Sequence, residues 1–440
     1  MTKKANNLYL DVHQQPANKI QWLLLSFQHV FAMFGATVLV PILVGLPISV
    51  GLLCSGIGTL IYMVATKAKS PVYLGSSFAY IAPLQAAIAL ENGAGLANAG
   101  LGVMMVGMVY LILAAIMRVA GTGWLNKILP PVVIGPVIMV IGLGLSSVAV
   151  NNAMYVDGVY DMTSVLVATV TLLTTVIVSV YAKGYFKLIP ILVGLIVGYI
   201  FAVVMGIVDF TPVLEASWFA LPEVNIPFIH YQPAFSLEVF WLVIPVTIVT
   251  VAEHIGDHVV LGSIVNRDLL KSPGLHRTLL GDGLATFVAG ILGGPVNTTY
   301  AENTGVISMT RVASIWVIAL AAIFAIALAF IGKISALIAT IPSPVMGGIS
   351  ILLFGLIGLN GVRVLVNNRI NLLAQRNMVI IAIILVIGLG GAVLSVGAVN
   401  LSGMALAAIV GIVLHQILPE KELGQGEPQV HEADPIEQVI

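Results

Sequence analysis

The sequence predicts an all-α polytopic membrane protein of 14 transmembrane segments, and three observations predict it. Of 440 residues, 59% are hydrophobic and only 8% charged, against roughly 25% charged in a soluble domain. The apolar residues gather in runs of about 20, the length that crosses a bilayer core. The cations fall between the runs in alternation: with a cytoplasmic N-terminus, seventeen of the eighteen Lys and Arg lie on one side and Lys333 on the other. A wrong span count would scramble that pattern, so the positive-inside rule supports the topology, with both termini cytoplasmic.

The runs lie near 21–45, 47–66, 70–90, 98–117, 130–151, 162–181, 186–208, 236–262, 278–293, 296–312, 313–332, 345–361, 377–396 and 402–418. Cytoplasmic loops collect Lys67 and Lys69, Arg118 and Lys127, Lys183 and Lys187, and Arg267, Lys271 and Arg277. Opposite loops such as NNAMYVDGVYD are acidic or neutral. Residues 1–20 lack an apolar core followed by a cleavage site, so the first span is expected to direct insertion. The polar stretch 421–440 reads as a disordered tail. Cys54 has no partner for an internal disulfide, and a net charge of −1 without a basic stripe argues against a nucleic-acid surface.

Two runs are poor membrane helices. PVYLGSSFAYIAP (71–83) and GGPVNTTYAENTGVISMTR (293–311) both pass through small polar residues before turning helical. Backbone that leaves helix at membrane depth must be buried in protein or line a cavity, and interrupted runs at matching places in two halves point to a transporter site. These are the third and tenth runs, seven apart. LPPVVIGPVIMVIGLGL (129–145) and IPSPVMGGISILLFGLIG (341–358) echo each other at the fifth and twelfth. Seven is odd, so the halves are read as an inverted 7+7 repeat.

Ionisable residues at bilayer depth are costly and mark sites or pathways. VAEHIGDHVV (251–260) carries Glu253 and Asp257 four apart, on one face of a helix. Two carboxylates so placed resist ionising together, so one can hold a proton. His254 and His258 repeat the spacing; a zinc site would need a third ligand that is not evident, so no metal is expected. His254 reads as structural. NTTYAENTG (297–305) adds Tyr300, Ala301, Glu302 and Asn303 in a partly extended segment, suited to a small planar hydrogen-bonding ligand. Glycine clusters such as GLGLSS lack the strand–turn–helix context of a phosphate loop, so neither enzyme activity nor a cofactor is expected.

At these residues the chain resembles the nucleobase–ascorbate transporter family. ENTGVISMTR (302–311) is similar to its signature, and QHVFAMFGATVLVP, YLGSSFAYIAP, AGTGWL, AEHIG and PGLHR are similar to its bacterial uracil permease branch, over roughly residues 20 to 420. The resemblance implies short antiparallel strands in segments 3 and 10, a core domain (21–127 and 236–333), a gate domain (128–235 and 334–420), elevator-like movement of core against gate, and a homodimer. It implies uptake of uracil with protons across a bacterial cytoplasmic (inner) membrane.

Carried onto this chain, Glu253 and Glu302 would accept the ring N–H groups, the Phe78 and Ala301 amides would face the carbonyls, and Tyr300 and Ala36 would complete the substrate site. Asp257, Glu253 and His258 would handle the proton, with His29, Asn303, Ser350 and Phe354 in support. Three positions depart from the pattern: Asp257 replaces a histidine, Ala301 a glycine and Phe354 a tyrosine. Xanthine or uric acid, and sodium in place of the proton, are the nearest alternatives. The same architecture serves anion transporters, but two carboxylates in the site disfavour an anion, which seeks cations or free helix N-termini.

Overall fold

Lipid offers no partner to a backbone amide, so a chain this apolar must fold chiefly as helices. The computed structural model describes residues 8–90, 94–121, 130–396, 399–401 and 403–419. The expected tail (421–440) and the core–gate boundary at 127/128 lie outside the described residues.

The chain opens with α1 (Lys19–Val44), α2 (Ile48–Ala65), strand β1 (Leu74–Ser76), a 3-10 turn (Phe78–Tyr80), the short α3 (Ile81–Ile88) and α4 (Leu96–Ala120). Next come α5 (Pro131–Leu143), α6 (Ser146–Met154), the hairpin β2 (Tyr155–Val156) and β3 (Val159–Tyr160), α7 (Met162–Tyr181), α8 (Pro190–Val204) and the short α9 (Thr211–Glu215). The second half runs α10 (Leu237–Val265), α11 (Leu275–Leu292), β4 (Asn297–Thr299), α12 (Ala301–Thr310), α13 (Ile315–Ala329), α14 (Gly332–Ala339), α15 (Ser343–Asn367), α16 (Gln375–Leu389), the hairpin β5 (Leu394–Val396) and β6 (Val399–Leu401), and α17 (Gly403–Ile417). Among the described residues, seven helical stretches are long and apolar enough to cross a membrane, and five more apolar helices are shorter. The protein is a multi-pass, mainly helical membrane protein.

Local chemistry sets the ends. Asn18, Asp161 and Ser236 accept backbone N–H groups at the starts of α1, α7 and α10, satisfying amides that a helix leaves free. The Ser164 hydroxyl and amide hold the half-buried Asp161 carboxyl below its usual range. Gly45 ends α1 at φ 85, a left-handed turn that costs glycine little. Lys333 donates to the Val213 and Leu214 carbonyls at 2.5 and 3.0 Å, at the end of α9, where a helix is negative.

Some runs differ from expectation. Run 130–151 forms two helices, broken after Gly142 and Gly144, because glycine weakens a helix interior. Run 377–396 ends in β5, where Gly390 and Gly391 stop the helix. The stretch around Lys333, read as a loop, is α14.

Helix packing falls into two sets. In the first, α4 packs on α11, α2 on α11 and α13, and α1 on α13; in the second, α15 packs on α5, α6 and α7, α7 on α8, and α16 on α5 and α17. Without a hydrophobic force between helices in lipid, small residues allow the close approach that makes such contacts tight. The echoing segments 129–145 and 341–358 become α5 and α15, which touch where Gly142 lies against Gly358. Between α4 and α11, a Cβ at Gly107 would stand 2.5 Å from the Phe287 amide nitrogen.

Gly107→Ala is therefore expected to destabilise the protein by about 1–3 kcal/mol through overpacking, read as a lower melting temperature in detergent. Gly355→Ala, where a Cβ meets nothing within 4 Å, should melt with the wild type.

Candidate functional site

The two broken segments meet. β1 and β4 pair antiparallel, with Leu74 opposite Thr299, Gly75 opposite Thr298 and Ser76 opposite Asn297. Three-residue strands leave their outer edges unpaired, and side chains supply the missing bonds. Ser55 Oγ donates to the Leu74 carbonyl at 2.7 Å, and Thr59 Oγ1 accepts the Leu74 amide at 2.9 Å. From α11, Thr286 Oγ1 donates to the Asn297 carbonyl at 3.3 Å. Tyr300 Oη donates to the Ser76 carbonyl at 3.0 Å and receives Thr37 Oγ1 at 3.1 Å. Gly75 has no side chain because a Cβ there would overlap the Tyr300 ring.

Each strand runs straight into a helical start, β1 into the turn at Phe78 and β4 into α12 at Ala301. The first amides of a helix have no intrahelical partner and carry its positive end. Glu302 sits in the first turn of α12, the favourable place for a carboxylate. Helix α10 touches the Phe78–Tyr80 turn, β4 and α12, and brings Glu253 close enough for its charge and that of Glu302 to interact. Glu253 and Ala301 are exposed, while Phe78 and Glu302 are half-buried. Two helix starts and two carboxylates thus converge on one place in the fold.

The other expected residues take different places. Asp257 accepts a hydrogen bond from Thr299 Oγ1 of β4 and interacts with Glu253. His258 turns away from it: Nδ1 donates to the His254 carbonyl at 2.7 Å and Nε2 meets Tyr62 Oη at 2.5 Å. Tyr300 and Ala36 are buried in one cluster with Met33 and Tyr73. Asn303 Nδ2 donates to the ring Nδ1 and the carbonyl of buried His29, both at 3.1 Å. Ser350 and Phe354 are buried in α15, within the second helix set, and no hydrogen bond joins them to the carboxylates; Ser350 Oγ has no partner among the described residues.

One buried acid escaped the sequence reading. Asp282, in the middle of α11, meets His254 Nδ1 at 2.7 Å with both side chains shut from solvent. GDGLATF carried the signal, an acid between glycines inside an apolar run. Among the described residues, no group of three His, Cys, Asp or Glu is placed to hold a metal ion; the nitrogens of His254 and His258 are spent on protein partners.

Broken helices that meet at membrane depth, with carboxylates beside free helix starts, define a membrane carrier of the discontinuous-helix kind. The sequence model of the permease family Xan_ur_permease matches residues 20–397, and the chain belongs to that family. Its relatives are carriers rather than enzymes, and the resemblance to nucleobase–ascorbate transporters and their uracil permease branch holds. The uracil permease of Bacillus subtilis (strain 168) is 50% identical over 434 residues, covering 97% of this chain and 98% of the relative. That of Escherichia coli (strain K12) is 44% identical over 420 residues, covering 95% and 94%. In fold, the chain is similar to the transmembrane domain of a cyanobacterium bicarbonate transporter BicA, with TM-score 0.60 and 17% identity over 92% of this chain and 99% of that one.

Tyr300→Phe would leave the buried Ser76 carbonyl without its donor. Stability is expected to fall by about 1–3 kcal/mol, the cost of an orphaned buried acceptor, measured by thermal unfolding in detergent.

Proposed function

We propose that the protein imports uracil by secondary active transport coupled to protons, across a bacterial cytoplasmic membrane. What carries the reading is the pair of carboxylates, Glu253 on α10 and Glu302 on α12, interacting beside the starts of two half-helices, in a chain half identical to a uracil permease along nearly its whole length. A pyrimidinedione offers ring N–H donors and carbonyl acceptors in alternation. Glu253 and Glu302 take the N–H groups, the free amides at Phe78 and Ala301 take the carbonyls, and the Phe78 ring packs on the base. A site that pairs its acceptors with the ring N–H groups disfavours analogues that lack them.

Asp257 is the proton carrier in this reading. Its carboxyl shares the face of Glu253 and is held by Thr299 of the strand pair, so its charge is sensed at the substrate without touching it. Helices α1–α4 and α10–α13 move as a core against a gate of α5–α8 and α15–α17. The fourteen-segment inverted repeat, the cytoplasmic placement of both termini and the homodimer complete the proposal; the charge alternation along the chain supports the first two. Two carboxylates in the site favour a neutral base over an anion, whatever the fold's other users carry.

Glu302→Gln is expected to weaken uracil binding by about 10- to 100-fold, the worth of a hydrogen bond to a charged acceptor, in a radioligand assay with xanthine and sulfate as competitors. Strong competition by xanthine or sulfate would replace uracil as the substrate. Asp257→Asn should keep binding but lose the pH dependence of uptake in proteoliposomes with proton and sodium gradients imposed separately. Intact proton-driven uptake by that variant would overturn the carrier's assignment.

A further inference from the structure

His254 and Asp282 tie α10 to α11 at the core of the first helix set, with side-chain exposures of 0% and 1%. Thr278 Oγ1 donates to the Leu275 carbonyl at 3.0 Å, so toward His254 Nε2, at 2.9 Å, it accepts. Nε2 therefore carries a hydrogen. The contact of 2.7 Å between Nδ1 and Asp282 Oδ2 holds one more. Whether that proton rests on nitrogen or oxygen, the pair as a whole is neutral; removing it would set a ring lone pair against a carboxylate.

Adding a proton is a different matter. Asp282 Oδ1 is buried and, among the described residues, receives no hydrogen bond. A proton placed there breaks no bond. Nδ1–H then donates to Oδ2, Oδ1 carries the new hydrogen, and the pair passes from neutral to a charge of +1. We propose that Asp282 Oδ1 is a proton-binding position of the transport cycle and that His254 is its positioning partner, an inference that rests on the proton-coupled reading above.

The surroundings fit the role. Glu253, Asp257 and His258 face the pair from α10, Tyr62 from α2 and Tyr110 from α4; no lysine or arginine is among the groups acting on Asp282. A charge of +1 here favours ionised Glu253, the form that only accepts and so best receives a ring N–H. By linkage, bound base then raises the affinity for the proton by the same factor. The His258 ring lies 4.1 Å from that of His254, and His258 lines a cavity of about 360 Å³ that runs along Asn266, Arg267 and Asp268 on the cation-rich side.

The test compares wild type with Asp282→Asn in proteoliposomes, reading uracil exchange, gradient-driven accumulation and the pH profile of uptake. Asparagine has the same shape, and its amide donates to His254 Nδ1, so the tie between α10 and α11 stays while the titration goes. Accumulation is expected to fall by about 5- to 150-fold, the usual range of a coupling between sites, and uptake to lose its pH dependence while exchange persists. Accumulation and a pH profile like the wild type's would overturn the proposal, and so would joint loss of exchange and accumulation in a folded variant, the mark of a purely structural tie. Should the asparagine variant not fold, His254→Gln takes its place: the midpoint of the pH profile is expected to move by about one unit, and an unmoved profile overturns the proposal. A wild type indifferent to the proton gradient would sink the coupled reading itself, an outcome distinct from a responsive wild type beside an equally responsive variant.

Discussion

Six residues of extended backbone, three in β1 and three in β4, must be hydrogen-bonded at a depth where lipid bonds nothing. The rest of the site depends on meeting that constraint. The strands satisfy each other along one edge only, so the opposite edges need donors and acceptors from neighbouring helices. Ser55 and Thr59 of α2 serve Leu74, Thr286 of α11 serves Asn297, and Asn297 Nδ2 reaches the Cys54 and Ala285 carbonyls at 3.3 and 3.2 Å. Because these partners come from α2 and α11, both helices are locked against the strands, and α4 and α13 are locked through them. Extended backbone in a membrane thus enforces a rigid body around itself.

That rigid body makes helix starts where a continuous helix has none. A through-running helix would bury its positive end at the membrane surface; two half-helices begun from paired strands place theirs inside. Each acid nearby has a separate means of being tolerated. Glu302 lies in the first turn of α12, Glu253 is exposed, Asp257 is bonded by Thr299 and Asp282 by His254. Four acids share one small volume without four counter-cations because no two rely on the same support.

Legibility from sequence followed the range of the interaction. The breaks in the third and tenth runs were visible, since small polar residues within an apolar run are a local signal, and so was the standing of Glu253 and Glu302. Pairing was not. Nothing local ties His254 to Asp282 or His258 to Tyr62; each tie depends on the rotation of one helix against another, which an apolar composition leaves open. Asp282 shared the signal that marked Glu253, lying inside the run 278–293, but it stands alone there without a second ionisable group at helical spacing. The hairpins β2–β3 and β5–β6 were missed because strands of two or three residues are too short to show an alternating pattern.

The placement of the histidines bears on the departure at Asp257. Where the resemblance to the uracil permease branch leads one to expect a histidine, this chain holds an acid, and the neighbouring His258 does not lean over to replace it: its two nitrogens are committed to Tyr62 and to the backbone of His254. Imidazole chemistry has therefore not been moved by one residue along α10. It sits one turn back, at His254, against an acid from a different helix. An aspartate at 257 reaches Thr299 of β4, while the ring of His254 is held away from the strands by Asp282 and Thr278. An aspartate at 257 thus keeps an ionisable group on the face of Glu253 and bonds it to the strands on which the site is built.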